Sequence, residues 1–179
     1  EGDQLPVSMI RKYHLEDGSW PAGTTNYEKR GTAVEVPEWD HRKCVGCNLC
    51  SLSCPHAAIR PILVTSEEQE HAPDGFTVKK ISGKYADRYS YRIQVSPYDC
   101  TGCGCCVNAC PVPEKALIMK PLETQIKEQE NWNYAVDEVA IKSDAANGNT
   151  IQGSQYAKPY FEFSGACAGC GETPYIKLV

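Results

Sequence analysis

Long apolar runs are missing from this sequence. No stretch approaches the ~20 residues that a bilayer-spanning helix needs, and no signal peptide is visible. A mean hydropathy of −0.44 with 41% hydrophobic residues predicts a soluble, globular chain. There are only four histidines, His14, His41, His56 and His71, and no two share a spacing that suggests a metal site. No Ser/His/Asp arrangement, phosphate-binding loop or dinucleotide fingerprint appears, so nothing points to a substrate-converting site. With a net charge of −5, neither nucleic acid nor a membrane is expected as a partner.

What the sequence does have is cysteine. Eleven are present, an odd count for a disulfide framework, and most stand at two-residue intervals. Ligation of clusters or metal explains this better and predicts a reducing, cytoplasmic compartment. Cys44-Val45-Gly46-Cys47-Asn48-Leu49-Cys50-Ser51-Leu52-Ser53-Cys54-Pro55 returns as Cys100-Thr101-Gly102-Cys103-Gly104-Cys105-Cys106-Val107-Asn108-Ala109-Cys110-Pro111. Both read C-x2-C-x2-C-x3-C-P, the bacterial ferredoxin spacing that holds a [4Fe–4S] cubane. Three thiolates wrap one cubane, and the fourth, a helical turn later, ligates the other cluster in two-cluster proteins. Cys44, Cys47, Cys50 and Cys110 are therefore assigned to one cluster, and Cys100, Cys103, Cys106 and Cys54 to the other. The expected function is electron transfer.

The residues between the cysteines fit that assignment. Gly46, Gly102 and Gly104 allow positive φ and close approach of the backbone to a cluster. Pro55 and Pro111 stop the short helices. Val45, Leu49, Leu52, Val107, Ile59, Leu117 and Ile118 are the expected apolar shell. The predicted fold is α+β: a bacterial two-[4Fe–4S] ferredoxin-like, pseudo-two-fold (βαβ)2 domain with an inserted hairpin and extended flanking arms.

Residues 1–39 read as an extended arm or linker with a candidate strand at Thr32–Val36. Residues 40–120 form the two-cluster unit, whose runs begin 56 residues apart, at Cys44 and Cys100. The extra length predicts a hairpin, Phe76–Ile81 with Tyr89–Val95, turning at Ser82-Gly83-Lys84. Ser66–Asp74, acidic and polar, reads as a surface loop. Lys79, Lys80, Lys84, Arg88 and Arg92 make the hairpin basic: either a solvated edge that blocks strand addition or a docking face for an acidic redox partner. Residues 121–158 read as a helix, with Leu122, Ile126, Gln129, Trp132 and Val136 as its stripe, and then a linker at Lys142–Gln155. Residues 159–179 begin a further domain, with Tyr160–Phe163 as a strand.

Three cysteines remain: Cys105, Cys167 and Cys170. Cys105 is expected to be a packed free thiol whose side chain points away from the cluster. Cys167 and Cys170 form a C-x2-C that suits half of a zinc site, a redox dithiol or half of another cluster. The sequence opens on Glu1 and stops at Val179 soon after that pair, which suggests a piece of something larger.

Several segments resemble one family. Trp20-Pro21-Ala22-Gly23-Thr24-Thr25, Glu28-Lys29-Arg30 and Val36-Pro37-Glu38-Trp39-Asp40 look like the stretch ahead of the ferredoxin-type domain of pyruvate:ferredoxin oxidoreductase. Cys54-Pro55-His56-Ala57-Ala58-Ile59-Arg60 and Glu130-Asn131-Trp132 with Tyr134-Ala135 are similar to its first Cys-Pro corner and following helix. Phe161-Glu162-Phe163-Ser164-Gly165-Ala166-Cys167-Ala168-Gly169-Cys170-Gly171-Glu172-Thr173-Pro174-Tyr175, with Gly153-Ser154-Gln155 and Lys158-Pro159 ahead of it, resembles the lead into its thiamine-diphosphate domain. The resemblance implies oxidative decarboxylation of pyruvate with coenzyme A in the whole enzyme. Electrons would pass from thiamine diphosphate, held with Mg2+, through a third [4Fe–4S] cluster and then the two ferredoxin-type clusters to ferredoxin or flavodoxin. Cys167 and Cys170 match the first two ligands of that third cluster, and the remaining domains of the parent enzyme would be partners of this one. This chain alone is expected to carry electrons only. The rival readings are a stand-alone ferredoxin or wiring subunit of another redox complex, and a zinc or iron–sulfur interaction module without electron flow.

Overall fold

The structure is a computed structural model and describes residues 6–21, 23–80, 87–166 and 170–179. In chain order its elements are α1 (Val7–Lys12), β1 (Glu35–Trp39), α2 (Leu49–Ser53), β2 (Ile59–Val64), α3 (Ser66–Glu70), β3 (Lys79–Lys80), β4 (Ser90–Val95), α4 (Cys105–Ala109), β5 (Leu117–Pro121), α5 (Leu122–Gln125), α6 (Glu128–Asp137), α7 (Ile151–Ser154) and α8 (Thr173–Leu178). The fold is small and mixed, and its sheets are antiparallel. β1 pairs β5 with Trp39 opposite Leu117, and β2 pairs β4 with Ile59 opposite Val95. Each cysteine run thus sits in a strand–loop–helix–strand unit, β1–α2–β2 and then β4–α4–β5.

Apolar burial explains why the two units close on each other. Ile59, Leu63, Tyr91, Ile93, Val95 and Leu117 form one buried cluster together with Cys50 and Cys106, so the cysteine helices rest directly on the strands. Val64, Phe76, Ala135 and Val139 form a second, joining β2 to α6. Trp132, 1% exposed, is the largest fully buried side chain and on area alone stabilises by about 3 kcal/mol.

Several local expectations shift. The first strand is Glu35–Trp39, not Thr32–Val36. Pro37 is tolerated there because, among the described residues, β1 is hydrogen-bonded to one neighbour only, β5. Ser66–Glu70 is helical, because Thr65 and Glu68 form a reciprocal capping box (Glu68 N to Thr65 Oγ1, 3.2 Å; Thr65 N to Glu68 Oε2, 2.8 Å). The hairpin is shorter than expected: β3 spans Lys79–Lys80, opposite Tyr91 and Ser90, and the turn at Ser82-Gly83-Lys84 lies outside the described residues. Arg92 leaves the basic face altogether. It is 4% exposed, pairs with Glu128 at 2.5 Å, and stacks on Phe76 with 4.6 Å to the ring centroid.

The helix past β5 breaks into α5 and α6, and its buried face carries Gln125, Gln129, Trp132 and Ala135, with Val139 buried just past α6. Ile126 is 43% exposed, because the glutamines face polar partners: Gln125 Nε2 donates to Glu38, and Gln129 Oε1 accepts from Ser96 and the Tyr98 amide. Tyr160–Phe163 is not a strand. Phe163 takes a left-handed φ of 48°, which ends extended pairing, and its ring meets Trp132 edge-on at 88°. Glu162 pairs with Arg60 at 2.6 Å.

Candidate cluster sites

The two cysteine runs adopt one local conformation twice. Gly46 and Gly102 have φ of 72° and 71°, and each amide points back at the first sulfur of its loop, Cys44 Sγ and Cys100 Sγ, both at 3.4 Å. A Cβ at Gly102 would lie 2.9 Å from the Glu35 carbonyl oxygen, so the loop there is as close to β1 as backbone allows. The residue after each second cysteine is left-handed, Asn48 at φ 61° and Gly104 at φ 74°, and starts the short helix. Each helix ends on an extended fourth cysteine, Cys54 or Cys110, before a proline. An extended residue there turns the sulfur off the helix and toward the other unit.

The outcome is two small cavities. One is walled by Cys44, Cys47, Cys50 and Cys110 together with Trp39, Tyr91, Ile93 and Leu117. The other is walled by Cys54, Cys100, Cys103 and Cys106 together with Ile59, Val95 and Met119. Each brings together the four cysteines assigned to one cluster by spacing. The thiols feel one another mostly within each cavity, although Cys50 also acts on Cys106. Burial, then repulsion from Cys44 and Cys47, pushes Cys50 up to about 12, with Cys110 adding to it. Burial pushes Cys100 to about 12 with Cys54 and Cys103 contributing, and Cys106 rises through burial and then Cys54. Four soft sulfur donors in an apolar wall, with amides aimed at sulfur, fit an iron–sulfur cluster and suit hard cations poorly. Among the described residues no three Cys, His, Asp or Glu side chains converge tightly enough to hold one mononuclear ion. A cubane instead takes its four ligands at separate corners.

Part of the wall escaped the sequence reading. Ile59, Leu117 and Val45 line the cavities as expected, though Val45 is 66% exposed, and Ile118, 46% exposed, lines neither. Trp39, Tyr91, Ile93, Val95 and Met119 do the shielding, because β1, β4 and β5 pack directly behind the loops. Strand alternation was the signal for Tyr91, Ile93 and Val95. Asn48 was also missed: 1% exposed, it accepts from the Tyr91 hydroxyl at 2.8 Å and donates to the Gln152 carbonyl at 2.8 Å. Gln152 in turn donates to the Gly46 carbonyl at 2.8 Å, so α7, in the stretch read as a linker, straps the first loop.

Cys105 departs from expectation. It is exposed rather than packed, and it lies beside Cys103 in the second cavity wall. Cys170 is half-buried, and Cys167 lies outside the described residues. His56 is buried against Ser164 (Nδ1 to Oγ, 3.1 Å), and burial lowers its pKa. Lysines reach three of the cysteine carbonyls: Lys79 that of Cys44, Lys115 that of Cys110 and Lys177 that of Cys54.

A doubled strand–loop–helix–strand unit, with four thiols around one cavity and the four spaced thiols plus Cys105 around the other, defines a ferredoxin-type domain. Residues 43–113 match a family model described as a 4Fe-4S dicluster domain, and residues 1–33 match one described as a domain of unknown function. Along its whole length the chain is similar to a stretch of pyruvate-flavodoxin and pyruvate:ferredoxin oxidoreductases. It is 53% identical over 179 residues to the pyruvate-flavodoxin oxidoreductase of Enterobacter agglomerans, covering 100% of this chain and 15% of that protein. It is 52% identical over 180 residues to the pyruvate:ferredoxin oxidoreductase of Moorella thermoacetica, with the same coverage. It is 46% identical over 181 residues to the pyruvate dehydrogenase [NADP(+)] of Cryptosporidium parvum, covering 100% of this chain and 9% of that protein. The chain thus spans about 15% of the length of the first two relatives.

Proposed function

We propose that this chain is the two-cluster electron-transfer module of a pyruvate:ferredoxin (or flavodoxin) oxidoreductase. The observation that carries the reading is the crosswise composition of the two cavities, each joining the first three spaced cysteines of one run to the fourth of the other, with Cys105 as an extra thiol in the second. Cys44, Cys47, Cys50 and Cys110 would hold one [4Fe–4S] cluster, and Cys100, Cys103, Cys106 and Cys54 the other, in a pseudo-two-fold arrangement of β1–α2–β2 and β4–α4–β5. When bound, each cluster takes up and returns one electron. The protein's part is to exclude water and fix geometry. Tyr91, Ile59, Ile93 and Leu117, all at most 2% exposed, keep the sites dry, and the Gly46 and Gly102 amides donate toward sulfur. Both act on cluster potential. Cys54 and Cys110 cross between units, so neither half can move without straining both sites.

Residues 40–120 are the ferredoxin-like domain in this reading, 1–39 an arm, 121–158 helix and linker, and 159–179 the start of a thiamine-diphosphate domain. Cys167 and Cys170 would contribute to a third cluster, and Mg2+ and thiamine diphosphate would be held by the remaining domains of the parent enzyme. The acceptor is ferredoxin or flavodoxin, for which Lys80 and Arg88 offer exposed positive charge. A reducing, cytoplasmic compartment suits so many unpaired thiols, and no helix among the described residues is long and apolar enough to cross a membrane.

The test is iron content after anaerobic loading. The whole chain should bind about 8 irons in two cubanes; Cys54→Ala should lose iron from both halves, and Cys105→Ala should lose none. The reverse pattern overturns the ligand assignment, and zinc in place of iron overturns the function.

A further inference from the structure

The two fourth-cysteine corners are built alike, yet their lysines come from very different places. Lys115 Nζ donates to the Cys110 carbonyl at 2.5 Å and to the Asn108 carbonyl at 3.4 Å. It belongs to the same loop, five residues from its cysteine. Lys177 Nζ donates to the Cys54 carbonyl at 2.7 Å and to the Ser51 carbonyl at 2.5 Å. It reaches across 123 residues from α8, which follows Cys170. In both cases a cation meets the carbonyl end of a short cysteine helix, where partial negative charge collects. Lys177 is half-buried, and among the described residues it makes no ion pair with a carboxylate. Its charge therefore acts chiefly on the Cys54 corner.

We propose that Lys177 is a positioning residue for the cluster held at Cys54: it fixes that corner from α8 and raises the reduction potential of that cluster alone. The proposal rests on the two-cluster reading above. Reduction adds one electron, supplied in the test by dithionite, to a site of four thiolates. A fixed, poorly solvated cation at the corner carbonyl stabilises that added charge more than the oxidised state. Lys115 plays the same part for the cluster held at Cys110. Because α8 and Cys170 belong to one short segment, seating that segment and setting this cluster's potential are a single event.

The test is an anaerobic redox titration of the full-length, iron-loaded protein followed by EPR. Lys177→Gln should move one midpoint to more negative potential and leave the others in place, and Lys177→Arg should restore it. Lys115→Gln should move a different midpoint in the same direction. If Lys177→Gln instead loses one cluster's iron and Lys177→Arg regains it, the charge at that corner is again what holds the site. Equal movement of all midpoints, no movement, or loss of iron in Lys177→Gln and Lys177→Arg alike overturns the proposal. Wild-type protein without cubanes would overturn the underlying two-cluster reading instead, so the two failures are distinct.

Discussion

Replacing Asn48 by alanine should loosen the first cysteine loop more than any other substitution of a residue that carries no sulfur. Asn48 takes a left-handed φ of 61° and is 1% exposed. Alanine there strands the buried Tyr91 hydroxyl, which costs ~1–3 kcal/mol, and gives up the bond to Gln152, worth ~1 kcal/mol. Gln152 itself is exposed, so water partly replaces that second partner. Alanine also tolerates the left-handed region less well than asparagine, which adds ~1 kcal/mol. The sum is about 3–5 kcal/mol. The loss concerns native loop geometry, so most of it should appear in the unfolding rate. At ~1.4 kcal/mol per decade that is a rise of about 10²–10³-fold. The assay is anaerobic unfolding of the iron-loaded protein in guanidinium, followed by cluster absorbance. Asn48→Gly, which copies Gly104 at the equivalent position, should regain about 1 kcal/mol of the loss. An Asn48→Ala rate within about five-fold of wild type, or an Asn48→Gly rate no slower than that of Asn48→Ala, would refute the reasoning.

Two further outcomes follow from the same geometry. Gly102→Ala places a methyl 2.9 Å from the Glu35 carbonyl at φ +71°, so the second loop should open. Iron analysis should find the Cys100–Cys103–Cys106 cluster depleted while Gly104→Ala, with nothing within 4 Å of its Cβ, is milder. Burial alone would raise the Glu68 carboxyl, but hydrogen bonds from Lys142 and from the Thr65 and Ala140 amides hold it below its ordinary 4.5. A depressed carboxyl stabilises the fold above its unfolded-state pKa and loses that contribution as pH falls through the folded value. Glu68→Gln should therefore flatten the acid side of the stability profile below about pH 4.5, and an unchanged profile would show that the capping box and the Lys142 pair do not carry it.

The cysteine spacing was legible because cluster chemistry fixes it: the crosswise grouping of eight thiols around two cavities and the left-handed glycines both follow from C-x2-C-x2-C-x3-C-P. The capping box at Thr65 and Glu68 was also written in the sequence, but the acidic run around it reads first as a solvated loop. Asn48 was hidden because left-handed backbone is a glycine signature, and its asparagine is retained for two side-chain bonds that only the fold reveals. The stripe read across α5 and α6 misled for a related reason: its inner face meets polar partners on β1 and just past β4, so Gln125 and Gln129 are buried where Ile126 is not. Least legible were the long-range ties, Lys177 to Cys54, Gln152 to Gly46 and Arg60 to Glu162, since no local pattern encodes contacts more than a hundred residues apart.

Two cubanes held crosswise by cysteines of both units must lie close together, so their unpaired spins interact once both are reduced. EPR of the fully reduced, anaerobically loaded chain is the most direct test. A broadened spectrum from two mutually coupled [4Fe–4S] centres is the expected result; one isolated centre, or a silent, zinc-loaded protein, would contradict the account.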